Sequence, residues 1–214
     1  MAVKICGITS SGDALAAAAA GADMLGFNFY ERSPRFLPPE RAAEIIRQLR
    51  QSGSTIECVG IFVDADAAQM REVAGAVGLD LVQMHGNETP DLCHALRPLR
   101  TIKALRVHRG FDPATADHFS CDMILLDSWD ANQRGGTGAA FDWTVAAEIR
   151  RRVKHLILAG GLNASNVGEA IRQVRPDAVD VCSAVESTPG VKDAKRVLAF
   201  IEAVREASGA EVLS

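Results

Sequence analysis

The sequence has no excess of basic residues and no long hydrophobic run. Its 23 lysines and arginines are outnumbered by 27 aspartates and glutamates, so the net charge of -4 offers no basic field to a nucleic-acid backbone or an anionic membrane. The alanine-rich run Ala14–Ala20 is too short to span a bilayer, and Gly7 interrupts the first apolar run, so we expect no signal peptide. The chain is therefore expected to bind neither nucleic acid nor a membrane.

The cysteines lack the spacing of a structural site. They number five, which is odd, and they include no C-x-x-C pair. This pattern argues against a disulfide framework and against structural zinc, so we expect no metal and a reducing, cytoplasmic setting. Cys58, Cys93 and Cys121 are interpreted as structural residues, and the other two cysteines are Cys6 and Cys182.

What the sequence does contain is a regular alternation of short β-branched runs with longer segments of helical periodicity. The eight predicted strands are Ala2–Cys6, Asp23–Asn28, Glu57–Val63, Leu81–His85, Thr101–Val107, Asp122–Asp127, His155–Ala159 and Ala178–Cys182. Eight strand-helix units at a spacing of about 27 residues predict an α/β fold, a single-domain (β/α)8 TIM barrel over residues 1–214. An open doubly wound sheet is the alternative, but no G-x-G-x-x-G follows the first strand.

The segments between the strands carry helix signals of different strength. The segment "PPERAAEIIRQLR" has prolines near its start, and "DAKRVLAFIEAVREAS" has an aspartate there, as is typical of helix N-termini. The fifth unit, "FDPATADHF", gives the weakest helix prediction.

Chemistry is expected at the carboxyl ends of the strands, where the active sites of such barrels lie. Alternate side chains of each strand point into the barrel. In "AVKIC", outward-facing Val3 and Ile5 place Cys6 at the mouth, and in "DMILLD" the same count brings Asp127 there. A thiol and a carboxyl group are therefore predicted to share one cleft.

The same count assigns more polar side chains to the interior. Gln83 and His85 point inward from "LVQMHG", and Asp180 points inward from "AVDVC". Because strand eight neighbours strand one in a closed barrel, we predict that Lys4 and Asp180 interact. That pair would place a cation below Cys6.

Glycine-bearing loops after the late strands predict an anion site. Such loops commonly bind phosphate through backbone N–H groups, and glycine allows a close approach. The loop after strand two adds Arg32 and Arg35, whose guanidinium groups could hold a carboxylate. We expect a small phosphorylated ligand, with phosphate-binding residues Gly136, Gly138, Gly160, Gly161, Ser183 and Ala184.

Each candidate also has a structural interpretation. A cysteine at a strand end is usually a small core residue, and Cys182 could pack below the phosphate loop. Asp127 could cap a helix, while Asp64 is the rival acid, although "FVDADAAQM" is well explained by an aspartate N-cap. His85 is equally well explained as a hydrogen-bonded barrel residue, and the glycine loops could be turns alone.

Taken in order, the motifs resemble those of one family. "KICGIT", "GFNFYERSPR", "VGIFV", "LVQMHG", "LLD" followed by "GGTGAAFDW", "LAGGLNASNV" and "DVCSAVESTPGVKD" look like phosphoribosylanthranilate isomerase, the Amadori-rearrangement enzyme of tryptophan biosynthesis. The resemblance runs from the first strand to beyond the eighth. It implies a cofactor-free isomerase that acts on N-(5'-phosphoribosyl)anthranilate.

The resemblance also implies roles for three residues. Cys6 would be the general base, Asp127 the general acid, and Arg35 would hold the anthranilate part of the substrate. A base thiol needs help to ionise, since a free cysteine has a pKa of about 8.5, and Lys4 is our candidate for that help. The acid needs the opposite change, because a free aspartate with a pKa of about 3.9 is nearly all ionised at neutral pH.

Two positions depart from the family pattern. Where the family usually has "SSGVE", this chain has "CSAVE", with Cys182 for a serine and Ala184 for a glycine. If Ala184 requires positive φ, phosphate affinity should fall; if its φ is negative, its N–H donor survives. The rival functions are another phosphosugar barrel enzyme and a catalytically silent phosphate-binding barrel. We expect a monomer or a homodimer.

Overall fold

The computed structural model describes residues 1–108, 110–128 and 143–209. Eight parallel strands form a closed barrel in chain order, and β8 pairs with β1 to close the ring. The strands are β1 Ala2–Cys6, β2 Met24–Asn28, β3 Glu57–Phe62, β4 Leu81–Met84, β5 Arg100–Val107, β6 Met123–Ser128, β7 Leu156–Leu158 and β8 Ala178–Val181. The predicted barrel is confirmed, with the strand ends within two residues of their predicted positions.

Seven helices of the described ranges accompany the barrel. They are α1 Ser11–Ala19, α2 Pro39–Gln51, α3 Ala67–Val77, α4 Pro90–Ala95, α5 Trp143–Arg150, α6 Val167–Val174 and α7 Ala194–Gly209. The fifth unit, where the helix signal was weakest, forms only a 3₁₀ helix, Pro113–His118. None of the helices in these ranges is long and apolar enough to cross a membrane.

The chain after β8 has an arrangement that the sequence pattern did not predict. A one-turn 3₁₀ helix, Ser183–Val185, is followed by two short antiparallel strands, β9 Glu186–Thr188 and β10 Val191–Lys192. The turn between them contains Gly190, whose φ is +84°. This hairpin brings two charged side chains, Glu186 and Lys192, back toward the barrel mouth.

The pleat divides the apolar side chains into two layers, as predicted. Inside the barrel, one layer of side chains fills the interior, including Met24, Val59, Leu81, Ile102, Leu125 and Ile157. Val3 and Ile5 instead belong to the larger layer between the strands and the helices, where both are fully buried. Outward-facing valine and isoleucine on β1 therefore fix the inward direction of Lys4 and Cys6.

The expectation that the cysteines form no disulfide framework is wrong for one pair. Cys93 of α4 and Cys121, just before β6, form a disulfide with their Cα atoms 5.2 Å apart. The two residues are 28 positions apart in sequence, but the barrel packs the segment before β6 beside α4. Cys58 is fully buried, in agreement with a structural role.

A buried ion pair on the outer side of the barrel wall joins the loop after β4 to β5. The Lys103 ammonium lies 2.5 Å from the Glu88 carboxylate and also donates to the carbonyl of Gly86. Glu88 in turn accepts from the backbone N–H groups of Gly86 and Asp64. Every charged group of this pair thus has several hydrogen bonds, and none of them faces the barrel interior.

Candidate active site

A cavity of about 290 Å³ opens at the carboxyl ends of the strands. This is the end at which barrels of this type carry their chemistry. Eight of the predicted site residues line it: Cys6, Arg35, His85, Asp127, Gly160, Gly161, Asp180 and Ser183; Cys182 lines it as well. The predicted meeting of a thiol and a carboxyl group in one cleft is therefore observed.

The remaining sequence candidates do not line this cavity among the described residues. Gln83 is buried beneath His85, and Ala184 lies in the one-turn helix beside the mouth. Gly136 and Gly138 lie outside the described residues. Asn28, at the end of β2, does line the cavity, and the same alternation of side chains would have found it.

A chain of polar side chains links Gln83 to Asp127. The amide Nε2 of Gln83 lies 2.9 Å from Nδ1 of His85, and Nε2 of that ring lies 3.3 Å from the Asp127 carboxylate. When the Gln83 amide donates to Nδ1, the imidazole proton is on Nε2 and points to Asp127. Gln83 thus acts on the cavity through the orientation of His85. Its Oε1 is the buried side-chain polar atom left without a partner among the described residues.

The predicted ion pair lies below Cys6. The ammonium of fully buried Lys4 is 3.0 Å from Asp180, which is its register partner on β8. Burial alone would lower the pKa of Lys4, but Asp180 and the sulfur of Cys6 outweigh it, so that pKa lies above its usual value. Burial raises the pKa of Asp180 to about 7, against the opposing effect of Lys4. The lysine is therefore a permanent cation under the thiol.

The surroundings of Cys6 favour its anion. The pKa of its thiol lies well below its ordinary value because Cys182 hydrogen-bonds to the sulfur. Lys4, Lys192 and His85 act in the same direction, and together these effects overcome the burial that would raise the pKa. The expected contribution of Lys4 is therefore present, but it is one of several.

Arg35 meets a carboxylate of its own chain. Its guanidinium donates to Glu186 in bidentate fashion, from Nε at 2.8 Å and from an outer nitrogen at 2.6 Å. Lys192 binds the same carboxylate at 2.8 Å. Burial would raise the pKa of Glu186, but Arg35 and Lys192 lower it more strongly. Glu186 and Lys192 were not predicted as site residues, and their only signal in the sequence was their place in "VESTPGVKD".

The loops after β7 and β8 present backbone at the mouth. Gly160 and Gly161 have φ values of +81° and +67°, a conformation that glycine adopts without cost. Within the described ranges, the N–H groups of Gly160, Gly161 and Ser183 donate to no backbone or side-chain acceptor. Ala184 is not among the residues with positive φ, so alanine is not strained there.

The rival acid Asp64 lies elsewhere. Its carboxylate accepts the N–H of Asn87 at 2.6 Å, and it does not line the cavity. Its neighbour Asp66 caps α3 by accepting the N–H of Gln69, as the aspartate N-cap interpretation predicted. Both aspartates therefore have structural partners in the loops.

The model of one protein family, N-(5'phosphoribosyl)anthranilate (PRA) isomerase, matches residues 3–203. The chain belongs to this family. It is 50% identical over 207 residues to the N-(5'-phosphoribosyl)anthranilate isomerase of Pseudomonas putida strain W619, an alignment that covers 95% of this chain and 97% of that protein.

Solved structures of the family have the same fold. The phosphoribosyl anthranilate isomerase of Thermotoga maritima superposes with a TM-score of 0.87 at 40% identity, covering 96% of this chain and 99% of that one. A second isomerase structure, in complex with reduced 1-(o-carboxyphenylamino)-1-deoxyribulose 5-phosphate, gives a TM-score of 0.84 at 38% identity with the same coverage. The expectations of an isomerase family and of its barrel are both confirmed.

Proposed function

We propose that this chain carries out the family reaction with Cys6 as general base and Asp127 as general acid. The reaction converts N-(5'-phosphoribosyl)anthranilate to 1-(o-carboxyphenylamino)-1-deoxyribulose 5-phosphate, the third step of tryptophan biosynthesis from chorismate. One observation carries the proposal: a thiol whose anion is favoured and a carboxyl group line the same cavity at the mouth of the barrel.

The chemistry needs one proton donor and one proton acceptor. Asp127 protonates the ring oxygen of the ribose, so that the furanose opens to a Schiff base. The thiolate of Cys6 then removes the proton from C2, and the resulting enolamine tautomerises to the ketone. Each step uses a side chain that the barrel holds at its mouth, and no step calls for a metal or a cofactor.

His85 and Gln83 position the general acid Asp127. His85 touches Asp127 at 3.3 Å and lines the cavity, so it can contact both the acid and the substrate. Gln83 fixes the ring from below. Asp180 lines the same cavity as Cys6, and its proposed role is to accept hydrogen bonds from the ribose hydroxyl groups.

The two ends of the substrate are held by different means. The phosphate is bound by the backbone N–H groups of Gly160, Gly161, Ser183 and Ala184, which need no side-chain charge. Gly136 and Gly138, outside the described residues, stay predictions of the sequence. At the other end, Arg35 uses only part of its guanidinium on Glu186, and its other N–H groups are left for the anthranilate carboxylate.

The test is steady-state isomerisation of freshly made phosphoribosylanthranilate, followed by the loss of anthranilate fluorescence. Cys6→Ser and Asp127→Asn should each lower turnover by roughly a hundredfold or more, the size expected for a lost acid or base. Cys58→Ser and Asp64→Asn are the matched controls, because each removes the same group outside the cavity; both should keep most of the activity.

Two results would contradict the proposal. Turnover that survives in both cavity variants would remove Cys6 and Asp127 from the mechanism. A folded wild type that binds inorganic phosphate but does not isomerise the substrate would point to the silent barrel or to another phosphosugar. We further propose that the enzyme is cytoplasmic. We also propose that it is a monomer or a homodimer, and light scattering would decide between these two oligomeric states.

A further inference from the structure

Two free thiols lie at the seam where β1 and β8 close the barrel. Ile5 of β1 is in register with Val181 of β8, and the next residues are Cys6 at the end of β1 and Cys182 directly after β8. Both side chains line the cavity, and neither belongs to the disulfide. The mechanism above uses the first thiol and gives the second no part.

The surroundings of Cys182 leave its proton free to be donated. An oxygen acceptor for its thiol is Oε1 of Glu186, but it lies at the long distance of 3.9 Å. That oxygen already accepts from Arg35 at 2.8 Å, from Lys192 at 2.8 Å and from the N–H of Gly190 at 3.2 Å. Since the carboxylate is saturated by stronger donors, the sulfur of Cys6 is the better acceptor for this proton.

The charges around the pair decide which sulfur ionises. Glu186 places a carboxylate beside Cys182, which disfavours a second anion at that sulfur. Cys6 instead has the buried cation of Lys4 below it. A hydrogen bond from Cys182 to the sulfur of Cys6 would raise the pKa of Cys182 and lower that of Cys6, which is the same assignment.

The other charged groups near the pair do not reverse this assignment. Lys192 lies 3.9 Å from the sulfur of Cys182, and its charge is shared with Glu186. Arg35 is likewise paired with Glu186. Around the mouth, His85 favours the Cys6 anion, whereas Asp180 and Asp127 oppose it when they are ionised.

We propose that Cys182 is a positioning residue for the base: its S–H donates a hydrogen bond to the thiolate of Cys6 and holds that sulfur ionised at the mouth. The inference rests on the proposed role of Cys6. A hydroxyl group at position 182 could donate in the same way, whereas a methyl group could not. The role therefore belongs to the donor and not to the sulfur.

The test compares donor and non-donor variants of matched size. Cys182→Ser and Cys182→Ala form one pair, and Cys182→Thr and Cys182→Val form a second in case the alanine variant does not fold. The reaction of Cys6 with iodoacetamide is followed against pH, with the labelled cysteine identified by peptide mass. This readout needs no turnover, so it remains informative even if the isomerase proposal fails. The rising limb of kcat/KM against pH is measured beside it.

In the non-donor variants, the apparent pKa of Cys6 in both profiles should rise by about one unit, as expected when an anion loses a hydrogen bond. The serine and threonine variants should keep most of the wild-type value, which a purely structural role would not predict. The proposal is overturned if donor and non-donor variants give the same profile. It is also overturned if iodoacetamide labels Cys182 at lower pH than Cys6.

Discussion

Two of the buried lysine-carboxylate pairs among the described residues use a lysine of a barrel strand, one on each side of the barrel wall. Lys103 and Glu88 lie on the outer side, where Lys103 also approaches the ring of Phe119. Lys4 and Asp180 lie on the inner side, under the cavity. Both pairs are more than nine-tenths buried, so each ion has lost most of its hydration.

The pairs differ in what surrounds the charges. Glu88 has backbone donors from two loops in addition to its lysine, so the outer pair is a closed network. The inner pair has a single hydrogen bond between its members, and Asp180 borders the cavity. The hydrogen-bonded network around Glu88 stabilises a loop. The inner pair borders the cavity, so its charges act on the side chain next to it. Here that neighbour is Cys6.

Removal of each lysine in turn should have the largest effects. Lys4→Met and Lys103→Met should each cost about 3 kcal/mol of unfolding free energy, because each leaves a buried carboxylate unpaired. Only Lys4→Met should also lower kcat/KM, by about tenfold, since only it removes a cation that favours the Cys6 anion. Urea unfolding and steady-state kinetics measure the two effects. Equal losses of activity in both variants would make the distinction wrong.

The outer layer offers a second test, through the disulfide. Opening the bond between Cys93 and Cys121, which closes a segment of 28 residues, should cost about 3 kcal/mol of stability. The variant Cys93→Ala/Cys121→Ala measures this cost by urea unfolding, with oxidised wild type as the reference. Turnover at 25 °C should stay within about twofold, because the bond lies outside the barrel wall. A large change in KM would show that the outer layer also shapes the cavity.

The pH dependence of stability tests the inner pair. The pKa of Asp180 is raised to about 7, so the folded protein holds this proton more tightly than the unfolded chain does. Protonation of Asp180 therefore stabilises the folded protein in full below about pH 4, the range of an unfolded aspartate, and this contribution is lost as the pH rises through about 7. The unfolding free energy of the wild type, measured relative to that of Asp180→Asn, should therefore fall over this interval. A difference that does not vary with pH would exclude this linkage.

The smallest expected effect concerns Gly7, beside the mouth. A Cβ there would lie 2.7 Å from Cδ of Arg35 and 3.1 Å from the sulfur of Cys182, at a φ of +77°. Gly7→Ala should cost about 1 kcal/mol from backbone strain and should also raise KM by displacing Arg35. Gly78→Ala is the matched control: its φ is +79°, with no atom within 4 Å of the added Cβ. It should lose similar stability without a change in KM.

The barrel and the direction of its strand side chains could be predicted from the amino-acid sequence. On β1 the apolar β-branched residues occupy alternate positions, so Val3 and Ile5 turn outward and Lys4 and Cys6 turn inward. From that alternation and closure of the ring follow the Lys4–Asp180 pair and the meeting of Cys6 with Asp127.

The tertiary structure alone decided which side chains become partners across loops. The hairpin after β8 brings Glu186 to Arg35 and to Lys192, and the outer packing joins Cys93 to Cys121. These contacts join residues far apart in the chain or carried by irregular segments, which have no fixed side-chain period. Their partners depend on where the loops pack, and that is set by the whole barrel and not by local pattern.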